Sequence, residues 1–473
     1  MEAAGRTANG RWLARGLLFA TALLVASMPS TGQGGWKAGA AKVDITPDEP
    51  IWLAGYGGRT KVSEEVIQHI YVKALALQDE TGRTSVIVTS DLVGLSPSMI
   101  EKIVERAQQE YRLTRERLIL NYSHNHSAPV TADVLHIYYD LDAQQKAAVD
   151  RYTRKLVDQY VEVIGRAIRE LAPSTLAFEQ GLAGFAVNRR RSRPGWRHVP
   201  GPVDPDVPVL SVRGADGKLS AILFGYACHN TALGRYQVSG DYAGYAQEAL
   251  EKAYPPAIAL FLMGCGGDQN PLPRYQGDDP DLSHYSVELA SMYGRILAGA
   301  VDLVLHGKMR PVSGPVSAAF DTVDIPFQKA PTRADLESAL KQAGSAVQRR
   351  GLEYLLRTLD REGRLPTRYP YPVQVWRFGG SLTLIGLTGE PVVDYSLRFK
   401  VQYGWENTWV AGYNNELLSY IPSLRVLKEG GYEGTEDMTE YGLPAPYGHA
   451  IEELIAEKVD DLVRETRGNG EHR

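Results

Sequence analysis

Short apolar segments alternate with amphipathic ones along most of this chain. Lys37 to Pro47 reads as a strand and turn, followed by a Gly-rich loop from Ala54 to Thr60. Thr84 to Leu92 reads as a buried strand. Pro97 to Tyr111 carries Ile100, Ile103, Val104 and Ala107 at helical spacing, with Ser96 as N-cap and Pro97 at the first helical position. Arg117 to Tyr122 predicts a strand and Ala143 to Leu171 a long helix. Leu219 to Cys228 and Ile258 to Met263 predict strands, with a helix over Ala243 to Ala253 between them and another over Leu282 to His306. Thr332 to Gly363 is charged and helical in pattern, which predicts an added hairpin of helices. Gln374 to Leu387 predicts a β-hairpin turning at Gly379-Gly380. In the last segment Ile451, Leu454, Ile455, Val459, Leu462 and Val463 share one side of a helix. Strands alternating with helices predict an α/β fold, mixed β-sheets flanked by helices, in a single large domain. Neither an internal repeat nor a low-complexity linker divides it.

The ends and the charge refine this picture. Arg6, Arg11 and Arg15 precede an apolar run from Gly16 to Met28, and small, turn-forming residues follow. That order is the order of a secretory signal, and the run is shorter than the roughly 20 residues that span a bilayer. The expected organisation is a signal peptide over residues 1–33 and a catalytic domain over 34–473, in a secreted or periplasmic protein. A net charge of −5 leaves no electrostatic footprint for nucleic acid. The one basic run, Arg189 to Arg193, reads as a solvated loop or as part of a site. Cys228 and Cys265 are the only cysteines, too few for a disulfide framework. A bridge between them and two buried thiols are both open.

Polar, metal-competent residues gather where strands end, the position at which α/β proteins bind ligands. One strand runs into Ser123-His124-Asn125-His126-Ser127, and a second into Cys228-His229-Asn230-Thr231. A third runs into Gly264-Cys265-Gly266-Gly267-Asp268-Gln269-Asn270-Pro271. The last two lead to Gly389-Glu390 and to Tyr413-Asn414-Asn415-Glu416. Three of the ten histidines lie in two of these loops. In extended backbone, residues two apart face one side, so His124 and His126 can address a common site. Imidazole is a preferred zinc donor, and Glu390 adds an anionic oxygen. Asp268 either orients a metal-binding histidine or caps the amides of a tight turn.

These motifs resemble those of the neutral/alkaline non-lysosomal ceramidase family, in order from Val43-Asp44-Ile45-Thr46-Pro47 to Tyr432-Glu433-Gly434. Ser123-His124-Asn125-His126-Ser127, the strand-end His229, Ser239-Gly240-Asp241 with Gly244-Tyr245, Gly267-Asp268, Gly389-Glu390 and Ser419-Tyr420 carry the likeness. The resemblance implies a zinc ion (Zn2+) on His124, His229, Glu390 and Tyr420, which activates water against an amide bond. It implies proton handling by His126, an arginine near the reaction centre at Arg189 (within a residue or two, since Arg190 and Arg191 adjoin it) and carbonyl polarisation by Tyr432. It also implies an immunoglobulin-like domain after the catalytic one, and this chain ends about where that domain would begin.

One departure stands out. Asn270 occupies the position of the family's active-site serine in Gly267-Asp268-Gln269-Asn270-Pro271. Asparagine is no hydroxyl nucleophile, although its amide can donate to an oxyanion. The expectation is an exported zinc-dependent hydrolase of an N-acyl bond. The rivals are a glycosidase or esterase on the same fold and a non-catalytic binding relative. Trp196, Arg274, Trp409 and Tyr413 read either as a mouth that suits a sugar or as packing residues. The expected partner is a small-molecule or lipid substrate, with transient membrane-surface contact allowed and oligomeric state open.

Overall fold

The computed structural model describes residues 35–191, 201–272 and 286–467. The expected signal segment, Trp196, Arg274 and the first residues of the helix expected from Leu282 lie outside them. Residues from Gly34 onward cluster as one unit, and the expected α/β class holds.

A large mixed sheet organises the described residues. From one edge its strands run Ile258–Met263, Leu219–Tyr226, Asp206–Gly214, Ala172–Leu182, Trp36–Asp44, Tyr71–Gln78, Thr84–Ser90, Leu118–Tyr122, Thr408–Asn414, Leu382–Thr388, Arg368–Phe378 and Val316–Pro326. Three neighbouring pairs are parallel: the two at the first edge, Thr84–Ser90 with Leu118–Tyr122, and Leu382–Thr388 with Thr408–Asn414. The predicted hairpin is present as Arg368–Phe378 and Leu382–Thr388, turning where Gly379 takes a φ of +52°.

Alternation along each strand explains why so many are apolar on both faces. Ala259, Phe261 and Met263 join one core cluster with Ile222, Phe224, Leu118 and Leu120, and with the helices on that side. Leu260, Leu262, Leu223 and Ile119 join Trp376 and Trp409 in another. Successive side chains point to opposite faces of a strand, so a sheet covered on both sides needs apolar residues throughout. The sheet also folds back on itself. Gly264, just past the edge strand, bridges to Ala411, and the Met263 amide donates to Asn121 Oδ1 at 2.9 Å. Thr408–Asn414 meets Leu118–Tyr122 only at Asn414 opposite Asn121. That closure draws several strand ends to one place.

The predicted helices form. Pro97–Tyr111 starts behind Ser96, whose side chain accepts from the Met99 amide. Ala143–Arg169 starts at a capping box of Asp142 and Gln145. The helix after the undescribed stretch is Val287–His306, capped by Ser286. The added hairpin consists of Arg333–Lys341 and Ala346–Glu362 around Leu336, Leu352, Leu355 and Leu365. Its Arg350 donates to the Ile137 and Tyr138 carbonyls at 2.7 and 2.6 Å. No helix among the described residues is long and apolar enough to cross a membrane. Cys228 and Cys265 are not bridged; they sit in different core clusters.

Candidate metal centre

His124 follows the strand Leu118–Tyr122 with a φ of +55°. Its convergence with His126 therefore comes from a left-handed turn and not from the strand alternation expected above. Asn125, between them, holds that turn. Its amide donates to Leu92 O at 3.1 Å and its side chain to Ser239 O at 2.5 Å. The two rings meet Nε2 to Nε2 at 3.1 Å. His229 enters from the strand Leu219–Tyr226. Asp241 steadies the loop beyond it by accepting from the Ala232 and Leu233 amides at 3.2 and 2.8 Å. One nitrogen from each of His124, His126 and His229 lies within 4.8 Å of the others, a grouping that can hold a metal ion.

Glu390 and Tyr420 face each other in a short parallel ladder, and both point at these imidazoles. Glu390 Oε2 lies 3.1 Å from His124 Nε2 and 3.3 Å from His229 Nε2. The Tyr420 hydroxyl lies 3.4 Å from His229 Nε2. The Nδ1 atom of His124 sits 2.8 Å from Val93 O, and that of His229 sits 2.6 Å from Gly266 O. A carbonyl only accepts, so these partners assign the ring protons to Nδ1 and leave Nε2 bare. Glu390 Oε2 is then buried without any donor.

Burial pushes His126 well below the ordinary imidazole range, with His124 and His229 adding to the effect. Burial, aided by Arg189, takes His229 down to about 4. Burial would raise Glu390, but His124 and His229 outweigh it and hold the carboxylate well below its usual range. Tyr420 is raised by burial, a trend that Arg189 opposes. Its guanidinium lies over the Tyr420 ring, 5.0 Å from the centroid.

The basic run is not a solvated loop over its described part. Arg189 Nε donates to Glu433 Oε1 at 2.5 Å, and Arg190 Nη1 to Glu433 Oε2 at 2.6 Å. Despite burial, that pair of arginines draws Glu433 down to about 2. Of the run's described arginines, Arg189 lines the central cavity. This cavity has a volume of about 200 Å³; His124, His126, His229, Tyr420 and Tyr432 also line it.

Of the two readings of Asp268, the structure favours amide capping. Its carboxylate accepts from Asn188 Nδ2 at 2.6 Å and from the Val393 amide at 3.0 Å, capping the helix that follows Glu390. The backbone carbonyls of the same loop hold His229 instead. Asn270 is fully buried but does not line the cavity, and neither amide atom finds a protein partner. Its strand pairs with Ala186–Asn188. Trp409 and Tyr413 are packing residues: Trp409 lies 5.9 Å from Phe178, and Tyr413 backs His124 at 4.9 Å between ring centroids.

Sequence reasoning missed Tyr441, whose hydroxyl donates to Glu390 Oε1 at 2.5 Å. It also missed Tyr138 and Glu440. The Tyr138 and Tyr432 hydroxyls lie 2.8 Å apart, and each donates to Glu440 Oε2, at 2.9 and 3.0 Å. Tyr432, expected to polarise a carbonyl, thus has its proton engaged at the cavity mouth.

The Gly-rich loop closes over His126. Gly55 has a φ of +99°, and a Cβ there would stand 2.4 Å from the His126 ring. Both the backbone conformation and the contact require glycine. Gly55→Ala is expected to lower kcat/KM at least about tenfold while circular dichroism stays native, because displacing a ring of the cavity wall costs rate without unfolding the sheet. An unchanged rate would show that this roof has no bearing on the site.

Residues 36–261 match the family described as neutral/alkaline non-lysosomal ceramidase, N-terminal. The neutral ceramidase of Pseudomonas aeruginosa is 24% identical over 245 residues, 49% of this chain and 36% of that protein. The neutral ceramidase of Drosophila melanogaster is 24% identical over 244 residues, 47% of this chain and 33% of that protein. The chain thus matches about a third of the length of these relatives. The crystal structure of the Pseudomonas aeruginosa enzyme superposes with a TM-score of 0.71 at 20% identity, covering 92% of this chain and 75% of that one. A solved structure described as ceramidase complexed with C2 gives 0.69 at 19% identity, covering 91% and 75%. Over residues 36–261 the chain is thus similar to the neutral/alkaline non-lysosomal ceramidase family, and it shares the fold of the solved neutral ceramidase.

Proposed function

We propose that this chain hydrolyses an amide (N-acyl) bond with the help of zinc held by His124, His229, Glu390 and Tyr420. The carrying observation is the spacing of those donors. Zinc bonds of about 2.0–2.1 Å put neighbouring tetrahedral donors about 3.3–3.4 Å apart. The contacts among Glu390, His124, His229 and Tyr420 are 3.1, 3.3 and 3.4 Å. Glu390 Oε2, buried without a hydrogen-bond partner, suits a cation. When bound, zinc supplies a Lewis acid that polarises a carbonyl and makes water more acidic.

His126 is the better base and the poorer ligand. The two proposed ligand histidines are each fixed by an Nδ1 contact to a carbonyl, as metal-binding imidazoles generally are. His126 Nδ1 has no partner, so nothing locks its tautomer. Kept neutral by burial, it is ready to accept a proton and pass it to a leaving amine. Arg189, clamped by Glu433, holds a fixed positive charge beside the cavity where an oxyanion develops. The proposed setting is outside the cytoplasm, on the reading of residues 1–33 as an export signal.

The test is metal analysis followed by a turnover assay. The purified full chain should carry about one zinc, release fatty acid from a labelled N-acyl sphingoid base or a simpler N-acyl amine, and lose that activity to a chelator reversibly. Cleavage of glycosides or esters in place of every amide would refute the bond assignment. Full activity without metal would refute the zinc.

A further inference from the structure

We propose, resting on the zinc reading above, that Tyr441 is a positioning residue for the site: it holds Oε1 of Glu390 aside so that Oε2 alone faces the ion. The Tyr441 hydroxyl donates to Glu390 Oε1 at 2.5 Å, the length of a charge-assisted bond from a hydroxyl to a carboxylate. With the ring protons of His124 and His229 on Nδ1, no other side chain among the described residues donates to this carboxylate. The two oxygens therefore have separate tasks. Oε1 is bound to a phenol, and Oε2 stands 3.1 and 3.3 Å from the Nε2 atoms of His124 and His229.

A glutamate needs such a partner because its last torsion is soft. Rotation about it would turn both oxygens toward the cation. Two oxygens of one carboxylate count as two ligands, and the second would crowd the position that a catalytic zinc keeps open for water or substrate. A hydrogen bond on Oε1 opposes that rotation, in the way that outer partners generally orient the groups that bind a metal.

Tyr441 is itself held in place. Its ring meets the Tyr420 ring edge-on at 6.1 Å between centroids, so one residue braces two of the four proposed ligands. Its amide donates to the Asp437 and Met438 carbonyls at 3.3 and 3.2 Å. The added helical hairpin supports the same turn. A Cβ on Gly351 would stand 2.1 Å from the Thr439 carbonyl oxygen, and the Tyr354 ring lies against Gly442. The hydroxyl thus reaches Glu390 from a fixed base.

Tyr441→Phe, which removes the hydroxyl and keeps the ring, tests this on the full chain. Zinc affinity, measured by competition with a chromophoric chelator, should fall about 10–100-fold. The visible bands of the cobalt(II)-loaded protein should weaken at the same time, because cobalt(II) absorbs less strongly as its coordination number rises. The metal-free variant should unfold in urea at the wild-type midpoint. Wild-type affinity with an unchanged cobalt spectrum overturns the proposal and leaves the zinc site standing. A metal-free variant that unfolds at clearly lower urea overturns it too, since the hydroxyl then serves the fold. Wild-type protein that binds neither metal overturns both the proposal and the zinc reading under it.

Discussion

His229→Ala is expected to yield folded protein with almost no bound zinc and a kcat/KM reduced at least about 10³-fold. Losing one oxyanion donor typically costs about 2.7–4 kcal/mol of barrier, and losing a metal ligand removes the Lewis acid itself. The fold should survive, because His229 contributes its ring to the site and its main chain to the framework. Its amide donates to Gln269 O at 3.1 Å whatever the side chain. Metal analysis, steady-state kinetics and circular dichroism on one preparation decide the matter. Full metal content with full rate would mean that the four donors do not share an ion.

Much of this site was legible in the sequence because polar residues at the ends of apolar strands have few structural reasons to be there. His124, His229 and Glu390 carried that signal. The partners that make them a site did not. Tyr441 reaches Glu390 across 51 residues from a loop with no periodicity. Charge runs look alike whether solvated or buried, and Glu433, which decides the case for Arg189, lies 244 positions away. His-x-His suggested a strand, whereas the rings converge through a positive φ that Asn125 imposes from the side. The same holds for the fold. Ala172–Leu182 and Val316–Pro326 were not anticipated, and both carry many half-exposed or exposed positions, such as Glu179 and Asp321, that mask their alternation. Tyr71–Gln78 hides a buried Lys73, whose ammonium reaches Glu251 at 2.7 Å and Ala259 O at 2.8 Å. Long-range pairing thus decides the elements and roles that local pattern leaves open.

Lys400→Met is expected to destabilise the protein by about 3–5 kcal/mol, the cost of removing one partner from a buried ion pair. Lys400 lies on the helix Val393–Tyr403, which follows Glu390 directly. Its ammonium, 2% exposed, is 2.6 and 2.7 Å from the Asp204 oxygens and 2.8 Å from Asp206 Oδ2. Ser396, one turn earlier on that helix, donates to Asp204 as well. This cluster ties the helix to the strand Asp206–Gly214, while Asp268 caps the helix at its other end. Methionine fills most of the volume but leaves two buried carboxylates without their cation, a charge problem that packing does not relieve. The midpoint of urea unfolding should fall sharply in Lys400→Met. It should recover in part when Asp204→Asn and Asp206→Asn are added, since the uncompensated charge is then gone. If the single variant unfolds at the wild-type midpoint, the cluster is not holding the helix. If the triple variant is as unstable as the single one, the loss comes from packing and not from the unpaired carboxylates. Because the helix begins three residues after Glu390, the single variant should also bind zinc more weakly at temperatures where it remains folded. That coupling links a salt bridge far from the cavity to the carboxylate inside it.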